Sequence, residues 1–479
     1  MDALIGNSKV SSDKEIEVKN PVTGEVIDVV PSLSRDDIKR AIEEAYMALD
    51  KLANISMARR SKLLLQIAQL IRNSAQELAV LMTKETGRPI RSSKSEIERT
   101  AQIFEMASSE LRRVFEGRYI PLEEYEFPPG NEKRMAIVTR EPVGVVGAIT
   151  PFNFPAASFA HKVAPALAVG NSVVFKPSSL TPLTQLKLGE LVSRVFPSGT
   201  LNVVTGDSQI IGDELVMNPK VSLITFTGSV SVGLDLASKA VRQGKRSIME
   251  LGGSDAEIIL EDADLNKAAK AALIGRYDFA GQFCNATKRL IVRKEIEKGF
   301  TAALKEELMK LKMGDPFDEQ TDYVPLISKE AKDRLTLLLE DAERNEGEIL
   351  YLGNVPDKGN YFPPVLLRLT PNTNSKVLTE EVFGPILPMV TVDDDDEAIE
   401  VANSSEYGLD ASIFTGNFNR AFRIASRLKV GTVILNDTTR LRWDNLPFGG
   451  VKKSGIGRES VIDTMIEMTE TKVIVYNYS

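Results

Sequence analysis

The 479 residues contain one cysteine, Cys284, in the stretch AGQFCNATKR spanning 280–289. A free thiol packs like a small hydrophobe and is often core filler; as a thiolate it is a nucleophile. Glu250 ends a short apolar run in IMELGGSD, just before a Gly-Gly turn. A carboxylate there is either an ordinary surface group or a base whose pKa burial has raised. Asn153 stands between Phe152 and Phe154 in ITPFNFPAASFAHK. An amide is costly to bury unpaired, so it either caps a backbone group locally or donates to a ligand. The only histidine, His161, follows in the same stretch; a lone histidine is more often structural, although beside Cys284 it would also allow a thiol hydrolase. Zinc asks for several His and Cys ligands, and one of each supplies no metal site.

Two stretches could meet phosphate. TGSVSVG follows the apolar run SLITF, so Gly228 lets the backbone approach a ligand and Ser229 opens a helix whose N-terminus favours an anion. VVFKPSS ends a strand in Lys176, Ser178 and Ser179, where dinucleotide folds commonly carry a carboxylate for the ribose 2′-hydroxyl. A cation and two hydroxyls suit a 2′-phosphate, or a plain solvated strand end. VKKSG does not satisfy the P-loop pattern GxxxxGK[ST] and is set aside.

The elements that position these residues change character along the chain. Apolar residues recur at three and four positions over RDDIKRAIEEAYMALDKL, over SMARRSKLLLQIAQLIRNSAQELAVLMTKETG and from Ser93 to Phe115, which predicts three long helices. NPVTGEVIDVVPSLS reads as a turn, a short strand and a cap. A polar arm follows the helices, from Tyr119 to Glu132. Short β-branched runs then alternate with helical segments, first over MAIVTREPVGVVGAIT to SLITFTGS and again from AEIILEDADL to VGTVILND, which predicts doubly wound parallel sheets. The acidic run Asp393–Glu397 reads as a helix N-terminus. The tail ETKVIVYNYS is an orphan edge strand of the kind a neighbouring subunit covers.

Length alone predicts two or three domains. A net charge of −8 without a basic stripe argues against nucleic acid, and RQGKR (242–246) reads as a solvated helix end. No uninterrupted apolar run of membrane length and no leader-like N-terminus occur, and a single cysteine forms no internal disulfide. A cytoplasmic protein is expected.

Together, PFNFP, KPSSLTP, FTGS, MELGG, GQFC, EEVFGP and PFGGVKKSGIGRE, in this order, resemble the NAD(P)-dependent aldehyde dehydrogenase superfamily over essentially the whole chain. The stretch NDTTRLRWDNLPFGG is most similar to the lactaldehyde and glyceraldehyde dehydrogenase branch. The resemblance implies an α/β fold with two doubly wound parallel-sheet domains and a small β oligomerisation domain. Residues 1–117 and 138–256 would bind NAD(P), 257–445 would form the catalytic domain, and 118–137 with 465–479 would supply the oligomerisation arm and edge strand of a homodimer or homotetramer. It implies Cys284 as nucleophile, Asn153 in an oxyanion hole with the Cys284 N–H, Glu250 as the base for thioester hydrolysis, and Lys162 in a proton relay with Glu250.

For the cofactor it implies Thr150, Pro151, Phe152, Asn153 and Leu251 near the nicotinamide, Lys176, Ser178 and Ser179 at the adenosine ribose, Gly228 and Ser229 at the pyrophosphate, and Glu381 with Phe383 at the nicotinamide ribose. NAD-specific members commonly carry Glu where Ser179 stands, so NADP is favoured and NAD is the alternative. Phe154, His161, Phe283, Asn285, Arg442, Trp443 and Phe448 would line the aldehyde channel, for a small hydroxyaldehyde such as glyceraldehyde or lactaldehyde. Arg440 or Arg442 could meet a hydroxyl, a carboxylate or a phosphate. Glyceraldehyde 3-phosphate or succinic semialdehyde are the alternative substrates, although Phe283 replaces an Arg that glyceraldehyde 3-phosphate enzymes often have. A CoA-acylating enzyme, which usually lacks the water-activating Glu, and a cofactor-independent thiol esterase are the remaining readings.

Overall fold

The structure, a computed structural model, describes residues 1–356, 359–371 and 373–478. Its first two helices begin where side chains satisfy free backbone amides. Ser34 and Asp37 form a capping box at Arg35–Ala53, and Ser56 caps Met57–Asn73. The helix predicted across residues 56–87 is two helices, Met57–Asn73 and Ala75–Thr86, parted at Ser74. Asn73 and Ser74 compete for backbone hydrogen bonds and break a pattern that the apolar period carries through. The third predicted helix runs Ile90–Val114. Two short N-terminal hairpin pairings, Ala3–Ile5 with Ser8–Val10 and Glu15–Lys19 with Val26–Pro31, frame these helices; strands of three residues offer too little alternation to be read from sequence.

The first sheet has five parallel strands in the spatial order Arg246–Glu250, Val221–Thr227, Val145–Ile149, Ser172–Lys176, Leu201–Val203. Antiparallel edges are added by Gly455–Ile456 on one side and by the first N-terminal hairpin on the other. The chain starts this parallel set at Val145–Ile149, builds outward to one side, and then crosses to the other at Val221–Thr227. Those two neighbours form a topological switch point, and in open α/β sheets a crevice opens beyond their C-terminal ends. The PFNFP segment and the TGS turn both lie there.

Four residues, Leu251 to Ser254, link the first sheet to the second. The second runs Glu348–Leu352, Val365–Leu369, Ile386–Val392, Thr287–Arg293, Asp255–Ile259, Asp410–Phe414, Thr432–Leu435, parallel except for the first pair. Cys284 stands three residues before the first residue of the strand Thr287–Arg293, so the two sheets meet C-terminal edge to N-terminal edge with Glu250 and Cys284 at the join. Asp394 caps the helix Asp395–Asn403, the helix start read in the acidic run. The tail strand Thr469–Asn477 pairs over nine residues with Arg134–Pro142, which also pairs with Arg118–Pro121 in a third, antiparallel sheet. Its side chains beyond Thr469 stay exposed. Among the described residues no helix is long and apolar enough to cross a membrane, and no His, Cys, Asp and Glu cluster could hold a metal.

Candidate active site

A cavity of about 760 Å³ opens at the switch point, and Asn153, Glu250 and Cys284 all line it. Cys284 is presented by a tight coil. Phe279, Ala280 and Gly281 adopt φ values of 48°, 51° and 72° in succession, a left-handed run that costs L-residues roughly 1–2 kcal/mol each. Gly281 is required as well by proximity, since a Cβ there would sit 2.6 Å from the Arg276 carbonyl oxygen. Lys288 holds the coil from below, donating to the carbonyls of Phe283 and Cys284. Asn285 Nδ2 donates to the Thr439 carbonyl at 2.9 Å, and Thr439 returns a bond to the Asn285 carbonyl at 2.8 Å. The Cys284 side chain is partly accessible, yet burial of its surroundings pushes the thiol up to about 12, with Lys288 opposing and the Glu250 carboxyl adding to the rise. The resting group holds its proton at neutral pH.

Glu250 ends its strand buried, with neither carboxyl oxygen hydrogen-bonded. Burial and then the nearby Glu459 carboxylate raise its pKa well above the usual range, while Arg442 and Lys162 pull it down. Gly449 allows the close approach of the PFGG turn, because a Cβ there would lie 2.6 Å from Glu250 Oε1. Asn153 resolves the two sequence alternatives in a third way. Its Nδ2 donates to the Gln282 carbonyl at 2.9 Å, tying the PFNFP segment to the cysteine coil across 129 residues. The amide has a second N–H. The Asn153 carbonyl in turn accepts from Arg88 Nη1 at 3.1 Å.

Lys162 is fully buried on the helix Pro155–Val169, every residue of which is buried. Its Nζ does not bond Glu250; it donates to Glu459 Oε1 at 2.7 Å and to Thr225 Oγ1 at 3.1 Å. Glu459 Oε2 also accepts from Arg442 at 2.9 Å. Burial pushes the Glu459 carboxyl up, but Lys162 and Arg442 outweigh it and hold the group well below the carboxylate range. His161 Nε2 lies 2.9 Å from Asp444 Oδ1. Burial, then Arg442, lowers His161 to about 4, so its ring is neutral.

The cofactor candidates divide. Pro151, Phe152, Gly228, Ser229, Leu251, Glu381 and Phe383 line the cavity. The helix Val230–Arg242 opens at Ser229 with no side-chain cap, leaving its first amides free for an anion. Glu381 comes across from the second sheet to accept from Gly253 N at 3.2 Å, and a Cβ at Gly252 would meet its carboxyl at 2.2 Å. Lys176, Ser178, Ser179 and Thr150 do not line this cavity. Lys176 donates to the Pro177 carbonyl at 3.0 Å and is lowered to about 8 by burial. Ser178 Oγ accepts from Leu180 N in a local turn, and Thr150 Oγ1 accepts from Gln185 at 2.9 Å.

Of the channel candidates, Phe154, His161, Asn285, Arg442 and Phe448 line the cavity. Phe283 is buried behind it, 5.1 Å from the Phe154 ring and under Arg440. Trp443 is 51% exposed and lies outside it. Sequence reasoning gave no role to Glu459, although it ends the quoted motif PFGGVKKSGIGRE. It also passed over the buried Arg88–Glu96 pair, which no local pattern marks. Glu96 Oε1 takes the amides of Ala156 and Ala157 at 3.0 and 3.1 Å, and Arg88 lies over the Phe154 ring at 4.6 Å.

A model described as the aldehyde dehydrogenase family matches residues 9–474. Lactaldehyde dehydrogenase of Methanococcus aeolicus is 38% identical over 476 residues, covering 98% of this chain and 99% of that protein. 3-Sulfolactaldehyde dehydrogenase of Priestia aryabhattai is 39% identical, covering 97% and 95%. The crystal structure of NADP-dependent glyceraldehyde-3-phosphate dehydrogenase from Bacillus halodurans, complexed with NADP, superposes with a TM-score of 0.95 at 36% identity, covering 100% of this chain and 99% of that one.

Proposed function

The chain belongs to the aldehyde dehydrogenase family, and from that premise we propose that it oxidises a small hydroxyaldehyde to its carboxylate with NADP in preference to NAD. That it is an oxidoreductase acting on aldehydes with a nicotinamide cofactor follows from the family and its cofactor-bound relatives. The finer reading rests on one observation above all: Cys284, Glu250 and Asn153 face a single cavity beside an uncapped helix N-terminus.

Cys284 loses its proton to water in the cavity and attacks the carbonyl carbon as the thiolate; the tetrahedral carbon then gives up its hydride and is left as the acyl-thioester. The oxyanion takes the free N–H of the Asn153 amide and the Cys284 backbone N–H; one such donor is typically worth about 10²–10³ in rate. A bound nicotinamide supplies the hydride acceptor. Gly228 and Ser229 would offer the pyrophosphate their backbone and Leu251 and Glu381 would lie by the nicotinamide and its ribose, all four lining the cavity, while Lys176, Ser178 and Ser179, outside it, would take the adenosine ribose and a 2′-phosphate. Glu250, in its carboxylate form, then draws a proton from water as that water attacks the acyl-thioester, and the C–S bond breaks to release the carboxylate product and the Cys284 thiolate. Its unpaired, buried carboxyl supports hydrolysis rather than transfer to CoA. Lys162 acts through Glu459, on which both it and Arg442 converge, and so sets the charge that Glu250 feels.

The remaining parts of the reading are organisational. Residues 1–117 with 138–256 form the cofactor domain, 257–445 the catalytic domain, and 118–137 with 465–479 the arm through which a homodimer or homotetramer assembles in the cytoplasm. Absorbance of the reduced cofactor tests the whole. Turnover of glyceraldehyde or lactaldehyde, faster with NADP than NAD and abolished in Cys284→Ser, is expected. Turnover that requires CoA, or that survives loss of the thiol, would overturn it.

A further inference from the structure

Close behind Cys284 lies a buried cation that the chemistry above does not use. Lys288 sits on the strand Thr287–Arg293 with its side chain fully buried, and it does not line the cavity. An ammonium has three N–H donors and no acceptor. Lys288 gives two bonds to backbone, at the carbonyls of Phe283 and Cys284. Carbonyls satisfy the donors without neutralising the charge. Among the described residues one carboxylate lies at ion-pair distance from the ammonium, Glu381, with Oε1 3.5 Å away. Asp255 and Asp410, on the next two strands, also feel the charge, but burial raises both, Asp410 to about 7, which weakens them as counter-charges. Glu381 lines the cavity. One ammonium therefore joins the cysteine coil to a carboxyl on the cavity wall.

Those two carbonyls set the geometry of the nucleophile. A peptide unit is planar and trans, so its C=O and N–H point in opposite directions. The Phe283 carbonyl shares its plane with the Cys284 N–H, the backbone donor to the oxyanion. Pinning that carbonyl from behind directs the N–H away from Lys288, and a charge-assisted bond to the oxygen polarises the amide into a stronger donor. The Cys284 carbonyl belongs to the next plane. Lys288 thus fixes both planes that flank the Cys284 α-carbon, and with them the direction in which the thiol leaves the backbone. Its charge acts on the same residue: against the burial that pushes the thiol up to about 12, Lys288 is the largest opposing influence.

We propose that Lys288 is the positioning residue for Cys284: it holds the two peptide planes around the nucleophile, aims the oxyanion donor, and brings to the thiol a positive charge that Glu381 partly withholds. The role rests on the reading of Cys284 as the nucleophile and adds to it a residue that touches neither substrate nor cofactor. Glu381 gains a second part, as the carboxylate that moderates this charge.

Because Cys284 is the only cysteine, its alkylation by iodoacetamide reports one site. The rate is followed against pH in the full chain without cofactor. Lys288→Met is expected to slow alkylation at a fixed pH about tenfold or more and to move the rate profile to higher pH, with Lys288→Arg recovering part. Glu381→Gln is expected to act the other way, raising the rate severalfold and moving the profile to lower pH, and to lose that effect in the Lys288→Met background. A role in packing alone would slow both variants and move neither profile. Glu250, Arg442 and Arg440 also act on the thiol and stay unchanged throughout. Should Lys288→Met not fold, Lys288→Met with Asp255→Asn removes a facing carboxyl together with the cation, and its profile is read against Asp255→Asn alone. In turnover, Lys288→Met is expected to lower kcat about tenfold or more with KM for the aldehyde little moved. An unmoved alkylation profile in Lys288→Met, or slower alkylation in Glu381→Gln, overturns the proposal and leaves the dehydrogenase reading intact. If the profiles move as expected but no aldehyde reduces either cofactor, the dehydrogenase reading fails and the hold of Lys288 on the thiol stands.

Discussion

At the scale of single residues, burial raises the pKa of both groups that must give up a proton before they act. Cys284 rests as a thiol pushed up to about 12, and burial with the Glu459 carboxylate nearby raises Glu250 well above the usual carboxylate range. A base with a raised pKa is active only in its deprotonated form, so where hydrolysis limits turnover kcat climbs with pH, about tenfold per pH unit until Glu250 has titrated. Glu459 is the second cause of that rise after burial. Glu459→Gln removes a like charge and leaves Lys162 and Arg442 to favour the Glu250 anion, so the acid limb of the kcat profile moves to lower pH. A shift to higher pH, or none, contradicts this coupling. Asn153→Ala removes both an oxyanion donor and the tie to Gln282, and kcat falls by about 10²–10³, measured in the same assay. Cys284, Glu250 and Asn153, which meet at one cavity, could be singled out in the sequence because their motifs are short and contiguous. The partners that tune them were not: Glu459 reaches Lys162 across 297 residues, and no spacing rule marks that.

At the scale of elements, geometry is set by a few coils and clamps rather than by the regular structure. The left-handed run from Phe279 to Gly281 aims the thiol, and Gly281→Ala would drive a Cβ to 2.6 Å from a carbonyl at φ 72°. We expect a fall in Tm and a loss of thiol reactivity toward iodoacetamide greater than the loss of stability explains; an unchanged alkylation rate would show that the coil does not aim Cys284. The Arg88–Glu96 pair joins the start of Ile90–Val114 to both the Asn153 carbonyl and the first amides of Pro155–Val169. Breaking such a buried pair costs about 3–5 kcal/mol, so Arg88→Met should lower thermal stability and kcat together, with KM little moved and Arg88→Lys recovering part of both. Helices were read well from their period. The break at Ser74 was not, since the apolar pattern continues across it, and neither was the partner of the tail strand. That pairing runs from Thr469–Pro142 to Asn477–Arg134, a contact between segments over 300 residues apart with no local trace.

At the scale of the whole molecule, two sheets of alternating topology meet end to end, and the crossing of the chain at Val221–Thr227 fixes where a crevice opens. The order of strands and helices foretold doubly wound sheets; the antiparallel edges did not follow from alternation alone. The three-stranded sheet ends in Thr469–Asn477, with Val473, Val475 and Tyr476 each more than half exposed. On the proposed assembly a second copy would cover this strand, so Val475→Asp should shift the sedimentation coefficient toward a smaller species, and a monomeric wild type would contradict it. The central claim concerns one covalent bond. Glu250→Gln, mixed with aldehyde and NADP or NAD and quenched in acid, should carry the acyl group on the peptide holding Cys284, in step with one equivalent of reduced cofactor per site, by intact and peptide mass spectrometry. Oxidation of the aldehyde with Cys284 unmodified at every time point would contradict the account.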